Sequence, residues 1–142
     1  MFWGFIRHDG YRLLLRCPEP FTSSDYLNFL EIAKTAMIGG NFIFQDDNCP
    51  VHRSHAVQEW FQNSNVPRIT WPPYSPDLNP IENVGAFLKK RLSQGVRTWE
   101  TLEEDVWETW KSIPNTFINS LFCSMPRRIR KCLQNCGSII NY

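Results

Sequence analysis

Apolar and polar positions in the first part of the chain predict a pair of strands followed by a helix. Residues 2–7 and 11–17 are rich in apolar and aromatic side chains, and the triplet 8–10 (His-Asp-Gly) separates them. Asp-Gly is favoured in two-residue turns because both residues tolerate positive φ, so this pattern predicts an antiparallel hairpin. Residues 22–24 (Thr-Ser-Ser) then offer N-caps for a helix that Gly39-Gly40 ends.

Short apolar runs and helical periodicity alternate along the rest of the chain. Residues 42–46 and 67–71 are predicted as short strands, and apolar residues at helical spacing predict a helix over about 52–64. Four prolines stiffen the loop 72–80. Strands that alternate with helices indicate an α/β fold, with residues 1–142 as a single domain. The remaining predicted helices span 80–92, 99–112, 115–123 and 126–135.

Composition restricts the classes of function. The net charge is +1, so the chain as a whole does not attract a polyanion, and nucleic-acid binding would require a local basic patch. No apolar run reaches the roughly 18 residues of a membrane span. The five cysteines are an odd number without CxxC spacing, which indicates free thiols. Cys132 and Cys136 have no second cysteine pair at ligand spacing, which argues against a zinc site. They are Cys17, Cys49, Cys123, Cys132 and Cys136.

Asp47 stands where a predicted strand ends, and it is the first candidate for chemistry. Open α/β sheets bind their ligands at the carboxyl ends of strands. An Asp before Asn and Pro also commonly hydrogen-bonds a turn, and this alternative stays open. The adjacent Asp46 points to the opposite face if the strand persists, so we expect it to be exposed and not to be a ligand.

Glu82 is the second candidate, and 34 residues (48–81) separate it from Asp47. Asn79 is predicted to cap a helix in which Pro80 takes the first position and Glu82 the third. A glutamate at that position commonly completes a reciprocal capping box. The same carboxylate can cap and ligate, and two carboxylates on rigid elements suit Mg²⁺, which prefers oxygen ligands.

Histidines and basic side chains supply further candidates. His52 and His55 lie three residues apart on a predicted helix, where metal or phosphate binding competes with a solvent-facing or capping role. Two basic clusters are either solvated helix ends or phosphate contacts. The first contains Lys89, Lys90, Arg91 and Arg97, and the second contains Arg127, Arg128, Arg130 and Lys131.

Two long blocks carry a resemblance to a known family. They are residues 44–52 (FQDDNCPVH) and 71–83 (WPPYSPDLNPIEN), with Trp60-Phe61 between them. In this order and at this separation they resemble the catalytic domain of mariner/Tc-one-type DDE transposases. Residues 2–6 with Gly10, and residues 125–128, are also similar to that family.

The resemblance implies an RNase H-like fold, in which helices flank a mixed sheet. It makes Asp47 and Glu82 the second and third members of an acidic triad that binds two Mg²⁺ or Mn²⁺ ions. In the family these ions activate water or a DNA 3′-hydroxyl for attack on a phosphodiester. DNA is the implied partner, the implied location is the nucleus, and no small-molecule substrate is expected. The implied DNA contacts are Lys89, Lys90, Arg91, Arg127, Arg128 and Arg130.

The sequence departs from the family pattern near its first residues. The family's first catalytic Asp lies on a strand just before the Trp-Gly segment, and here Trp3 is the third residue. Asp9, at a hairpin tip, and Asp25, at a helix start, do not replace it. We likewise expect this chain to lack the helix-turn-helix region that precedes the family's catalytic domain. Gly85 stands where the family usually carries a tryptophan.

We therefore expect a fragment of the catalytic domain that lacks the first central strand, binds metal weakly or not at all, and is inactive alone. Strands 2–7 and 42–46 would lose their shared neighbour, so we expect marginal stability and self-association through an open sheet edge. One rival interpretation is a non-enzymatic module that binds DNA or protein through its basic clusters. Another is an open reading frame without function.

Overall fold

The structure is a computed structural model that describes residues 1–37, 42–94 and 98–140, except for the side chains of residues 99 and 100. The chain forms two compact units. The first comprises Met1–Trp3 and Leu15–Tyr74, and the second comprises Gly4–Leu14 and Ser75–Tyr142.

Two strands, β1 (Phe2–Ile6) and β2 (Arg12–Arg16), form a two-stranded sheet and confirm the predicted hairpin. The turn differs from the prediction. The Gly10 N–H donates to the Arg7 carbonyl oxygen at 3.0 Å, and Gly10 has a φ of +93°. The prediction of a two-residue turn is wrong because Asp9 does not adopt positive φ. The Arg7 N–H donates to the Tyr11 carbonyl oxygen at 2.8 Å, so residues 8–10 form a three-residue loop between this pair.

The turn end of the hairpin is held by polar contacts within the second unit. Arg12 donates to the Asn115 side-chain oxygen at 2.7 Å and to the Lys111 carbonyl oxygen at 2.9 Å. A Cβ atom at Gly10 would lie 2.7 Å from Cγ of Asn115. Glycine is therefore required there both by its backbone conformation and by the available space.

Helix α1 (Ser23–Met37) begins at the predicted serine and threonine caps. Thr22 Oγ1 accepts from the Asp25 N–H at 3.3 Å, and the Thr22 N–H donates to Asp25 Oδ2 at 2.8 Å. This reciprocal pair is a capping box, and the hydrogen bonds from Thr22 hold the pKa of Asp25 below its usual range. The predicted stop at Gly39-Gly40 lies outside the described residues.

A 3₁₀ turn (Pro50–Arg53) precedes helix α2 (His55–Ser64). The single predicted helix over 52–64 is therefore wrong at its start, because Ser54 is extended, with φ −61° and ψ 153°, and separates the two elements. His52 lies on the 3₁₀ turn, while His55 is the first residue of α2. The two histidines consequently do not share one helical face.

The predicted strands 42–46 and 67–71 meet at a single parallel bridge between Phe44 and Arg68. The Phe44 N–H donates to the Pro67 carbonyl oxygen at 2.7 Å. The two strand predictions are wrong in extent. Pro67 has no N–H, so it cannot donate a further hydrogen bond to a ladder at that end.

Helices α3 (Pro80–Leu92) and α4 (Trp99–Lys111) lie in the second unit, and they confirm the predictions over 80–92 and 99–112. Val84 of α3 is fully buried and Trp110 of α4 is almost so. A Cβ atom at Gly85 would meet nothing within 4 Å, so no packing contact in the described structure requires glycine at that position.

The last helix, α5 (Asn115–Gln134), runs through Pro126 without a break. The prediction of two helices at 115–123 and 126–135 is therefore wrong. A proline inside a helix removes one hydrogen bond, but packing on both sides can offset this cost. Ile118 and Leu121 are buried before the proline and Arg128 after it.

The part of the chain that the structure describes contains no helix long and apolar enough to cross a membrane. All five cysteines are free thiols.

Candidate metal centre

Asp47 is an exposed carboxylate whose two hydrogen bonds fall on one oxygen. Oδ1 accepts from the Cys49 N–H at 3.0 Å and lies 2.7 Å from Nδ1 of His52. The side chain is 60% exposed. The turn-forming alternative is therefore present in the structure, but it occupies only Oδ1. Within the described residues, Oδ2 remains available to a cation.

His52 is held in place from three directions. Its ring stacks on the Tyr26 ring with the centroids 4.0 Å apart and the planes at 29°. The backbone N–H of His52 donates to the Cys49 carbonyl oxygen at 2.9 Å, and the His52 carbonyl oxygen accepts from Arg68 Nη2 at 2.9 Å. Because His52 is fixed, its bond to Asp47 also fixes the orientation of that carboxylate.

Asp46 is buried, with 7% exposure, so the prediction of an exposed strand-end residue is wrong. Arg68 Nε donates to Oδ1 at 3.0 Å and Arg68 Nη2 donates to Oδ2 at 2.6 Å. The Tyr26 hydroxyl also donates to Oδ2, at 2.9 Å. The Phe44–Arg68 bridge brings the guanidinium to this carboxylate, and the ion pair offsets the cost of burying the charge.

The Asp46–Arg68–Tyr26 network supports the Asp47 loop. Tyr26 stacks on His52 and Arg68 binds the His52 carbonyl oxygen, so both network partners of Asp46 also hold His52. Burial, together with the negative charge of Asp46, raises the pKa of the Tyr26 hydroxyl, which therefore stays a hydrogen-bond donor. The sequence signal for this network is that Asp46 and Arg68, an acid and a base, lie on the two predicted strands 42–46 and 67–71.

Glu82 lies exposed in the first turn of α3. The predicted cap is confirmed on one side, since Asn79 Oδ1 accepts from the Ile81 N–H at 3.2 Å. The reciprocal half of the capping box is wrong. The Asn79 N–H donates to the Pro76 carbonyl oxygen at 3.0 Å, so it does not need the Glu82 carboxylate. Glu82 is therefore not committed to capping.

Arg128 was predicted to contact nucleic acid, and the structure contradicts this. Its side chain is 1% exposed. The guanidinium donates to Ser124 Oγ at 2.9 Å, to the Asp77 carbonyl oxygen at 2.8 Å and to Asn83 Oδ1 at 2.7 Å. The bonds to Asp77 and Asn83 connect α5 to the turn before α3 and to α3 itself. A buried charge needs such partners. Arg128 stands among exposed basic residues in the sequence, so its structural role could not be recognised there.

The other predicted DNA contacts lie on the surface of the second unit. Arg91 lies 5.5 Å from the centre of the Phe87 ring. The Arg97 prediction falls outside the described residues. The exposed basic side chains are Lys89, Lys90 and Arg91 of α3, and Arg127, Arg130 and Lys131 of α5.

The donor set determines which cations could bind. Mg²⁺ and Mn²⁺ prefer oxygen ligands, and exposed carboxylates such as Asp47 and Glu82 satisfy that preference. Cys49 and His52 add softer sulfur and nitrogen donors near Asp47. Asp47 belongs to the first unit and Glu82 to the second, and each offers the oxygen donors that such a cation prefers.

Comparison with known proteins identifies the family of this chain. The family model described as DDE superfamily endonuclease matches residues 1–104. The Tcb1 transposase of Caenorhabditis briggsae is 39% identical over 148 residues, and the Tc1 transposase of Caenorhabditis elegans is 34% identical over the same length. Each match covers 100% of this chain and 54% of the relative. The chain therefore spans about half the length of the curated relatives that it matches.

Solved structures give the same fold. The catalytic domain of the Mos1 mariner transposase superposes with a TM-score of 0.79 at 20% identity, over 99% of this chain and 75% of that chain. The Mos1 paired-end complex with Mn gives a TM-score of 0.83 at 23% identity, over 99% and 44%. The fold is thus the RNase H-like fold predicted from the sequence. By the family match over 104 of its 142 residues, this chain belongs to the DDE superfamily endonucleases, with relatives among the Tc1, Tc3 and mariner-type transposases.

Proposed function

We propose that this chain supplies Asp47 and Glu82 as metal ligands of a transposase catalytic domain that cleaves and joins DNA. The observation that carries the proposal is the availability of the two carboxylates. Asp47 is hydrogen-bonded on one oxygen only, and Glu82 is not used by its helix cap. The relatives are transposases, and the solved structures that this chain resembles in fold include the Mos1 transposase catalytic domain with Mn and with Mg.

The chain's own residues would prepare the metal ligands. Two divalent ions, when bound, would activate the attacking oxygen and stabilise the leaving oxygen at a phosphodiester. His52 orients Asp47 through Oδ1 and leaves Oδ2 for the ion. The cap at Asn79 fixes the first turn of α3, and the backbone that carries the Glu82 side chain is therefore rigid.

We also propose that the 142-residue chain does not cleave DNA by itself. The family's metal site takes a third carboxylate, and most other aspartates in the described part of the chain already have partners. These pairs are Asp9 with Arg7, Asp25 with Thr22, Asp46 with Arg68, and Asp77 with the Ile140 N–H. Arg7 binds both oxygens of Asp9 and Arg68 binds both oxygens of Asp46, so these two carboxylates are more fully committed than Asp47.

A nicking assay tests this part of the proposal. Supercoiled plasmid incubated with the chain and Mg²⁺ or Mn²⁺ should stay supercoiled, at the level of a matched Asp47→Ala sample. Metal-dependent nicking that disappears in Asp47→Ala would show a complete site and would contradict the expected inactivity. Nicking that persists in Asp47→Ala would point to a contaminating nuclease, to be removed before the assay is repeated.

DNA binding should depend on the exposed basic residues of α3. Replacing Lys89, Lys90 and Arg91 by glutamine should weaken binding and lower the slope of log K against log salt by up to about 3, since each lost phosphate contact lowers it by about 1. Lys111→Gln, on the exposed end of α4, is the control and should leave the slope within about 0.3 of the wild type. Fluorescence anisotropy over a salt series measures this.

The rival function is a non-enzymatic DNA-binding module, and the exposed basic residues of α3 and α5 favour it. Asp47→Asn separates the two functions. A pure binding module would keep wild-type affinity for DNA in the variant, with or without Mn²⁺. A metal-dependent site would show affinity that rises with Mn²⁺ in the wild type and no longer rises in the variant.

A further inference from the structure

Asp47, Cys49 and His52 place three different ligand atoms close together on one short loop. A carboxylate oxygen, the Cys49 sulfur and a His52 ring nitrogen all lie within 4.8 Å of one another. We propose that these three residues form a binding site for a borderline transition-metal ion of the Zn²⁺ class, and that its occupation excludes Mg²⁺ or Mn²⁺ from Asp47. The exclusion rests on the proposed function, whereas the binding does not.

The backbone of the loop presents the three side chains from one tight turn. The Cys49 N–H donates to Asp47 Oδ1 at 3.0 Å, and the Cys49 carbonyl oxygen accepts from the His52 N–H at 2.9 Å and from the Arg53 N–H at 3.2 Å. Pro50 begins the 3₁₀ turn and fixes its own φ. The ligands therefore need little backbone rearrangement to bind an ion.

The imidazole is also fixed from outside the loop. Tyr26 stacks on the His52 ring, and Arg68 binds the His52 carbonyl oxygen. Asp47 and His52 approach at 2.7 Å through Nδ1. Tetrahedral bonds of about 2.0–2.3 Å would separate the ligand atoms by roughly 3.3–3.6 Å. Opening the Asp47–His52 contact and rotating the Cys49 side chain, each by about 1 Å, would produce this geometry.

The donor types determine which metal is preferred. Sulfur and imidazole nitrogen are poor ligands for Mg²⁺, but they are common ligands for Zn²⁺. Three protein ligands leave a fourth position for water. The sequence argued against zinc because it lacks paired cysteines, but a mixed site needs only one. Since Asp47 belongs to both donor sets, an ion bound here would prevent Asp47 from binding Mg²⁺ or Mn²⁺.

Cadmium titration of the full chain tests the binding. A Cd²⁺–thiolate bond gives an ultraviolet charge-transfer band, which reports sulfur ligation without any DNA reaction. The wild type should develop this band, and Cys49→Ser should lose it or bind at least about tenfold more weakly, since even outer-shell changes cost about 10–100-fold. Cys132→Ser is the control, because Cys132 is also half-buried and should leave the band unchanged.

His52→Phe keeps a ring against Tyr26 and removes the nitrogen ligand, so it should weaken Cd²⁺ binding while the circular dichroism spectrum stays that of the wild type. No band in the wild type, or an unchanged midpoint in both Cys49→Ser and His52→Phe, would overturn the proposal. If Cys49→Ser alters the circular dichroism spectrum, Cys49→Ala replaces it and the same outcomes apply.

Competition links the site to the proposed function. Zn²⁺ should lower Mn²⁺ binding in the wild type at least about tenfold more effectively than in Cys49→Ser. Glu82→Gln should weaken Mn²⁺ binding and leave the Cd²⁺ band unchanged. A Cys49-dependent band, together with Mn²⁺ binding that Asp47→Asn and Glu82→Gln leave unchanged, would refute the proposed function and keep this site. Zn²⁺ that displaces Mn²⁺ equally from the wild type and Cys49→Ser would refute the exclusion.

Discussion

Replacing Arg68 by alanine is expected to lower the free energy of unfolding by about 3–5 kcal/mol, because it leaves the buried Asp46 carboxylate without its main counter-charge. Arg68 makes two hydrogen bonds to Asp46 at 3.0 and 2.6 Å, and its guanidinium lies 4.5 Å from the centre of the Phe61 ring. A loss of this size is a large part of the stability of a typical domain. Urea or thermal unfolding measures it.

A double-mutant cycle separates the ion pair from general packing. Asp46→Leu combined with Arg68→Met removes both charges and keeps apolar volume, so the double variant should be more stable than either single variant. Arg53 lies 3.9 Å from Asp46 and would be a weak substitute partner. A single variant within about 1 kcal/mol of the wild type, or an additive double variant, would contradict the assigned role of the pair.

Replacing Arg128 by alanine is expected to destabilise the chain by about 3 kcal/mol or more. The guanidinium is buried and makes three hydrogen bonds, and hydrogen bonds of charged groups contribute about 1.5–3 kcal/mol each. Its loss would also leave the Asp77 carbonyl oxygen and the Asn83 amide oxygen without a donor. Chemical denaturation of the purified chain measures the change.

Arg130→Ala is the matched control, because Arg130 is exposed on the same helix and should change stability by at most about 0.5 kcal/mol. The pair of variants also tests whether Arg128 is a structural residue and not a DNA contact. If Arg128→Ala keeps full stability and loses DNA affinity, Arg128 is a DNA contact and its burial is contradicted. If it loses stability and Arg130→Ala does not, Arg128 is a structural anchor.

The sequence predicted the elements that depend on neighbouring residues. The hairpin, the capped start of α1 and the cap at Asn79 each follow from a pattern a few residues long. The turn hydrogen bond that Asp47 accepts from the Cys49 N–H also followed from local reasoning. These signals are local because turns and caps are hydrogen bonds between residues close in the chain.

The errors arose where a distant residue determines the environment. Asp46 is buried because Arg68 reaches it across the bridge at Phe44, and no local pattern predicts that pairing. Arg128 is buried because Asp77 and Asn83 receive its hydrogen bonds. The same tertiary contacts overrode the local preference for a helix break at Pro126.

Titration with Mn²⁺, followed by electron paramagnetic resonance of the free ion, tests the central claim that Asp47 and Glu82 are metal ligands. We expect weak binding by the wild type and at least about tenfold weaker binding by both Asp47→Asn and Glu82→Gln. Glu104→Gln, an exposed acid on α4, should bind as the wild type does. Wild-type Mn²⁺ affinity in either Asp47→Asn or Glu82→Gln would contradict the claim.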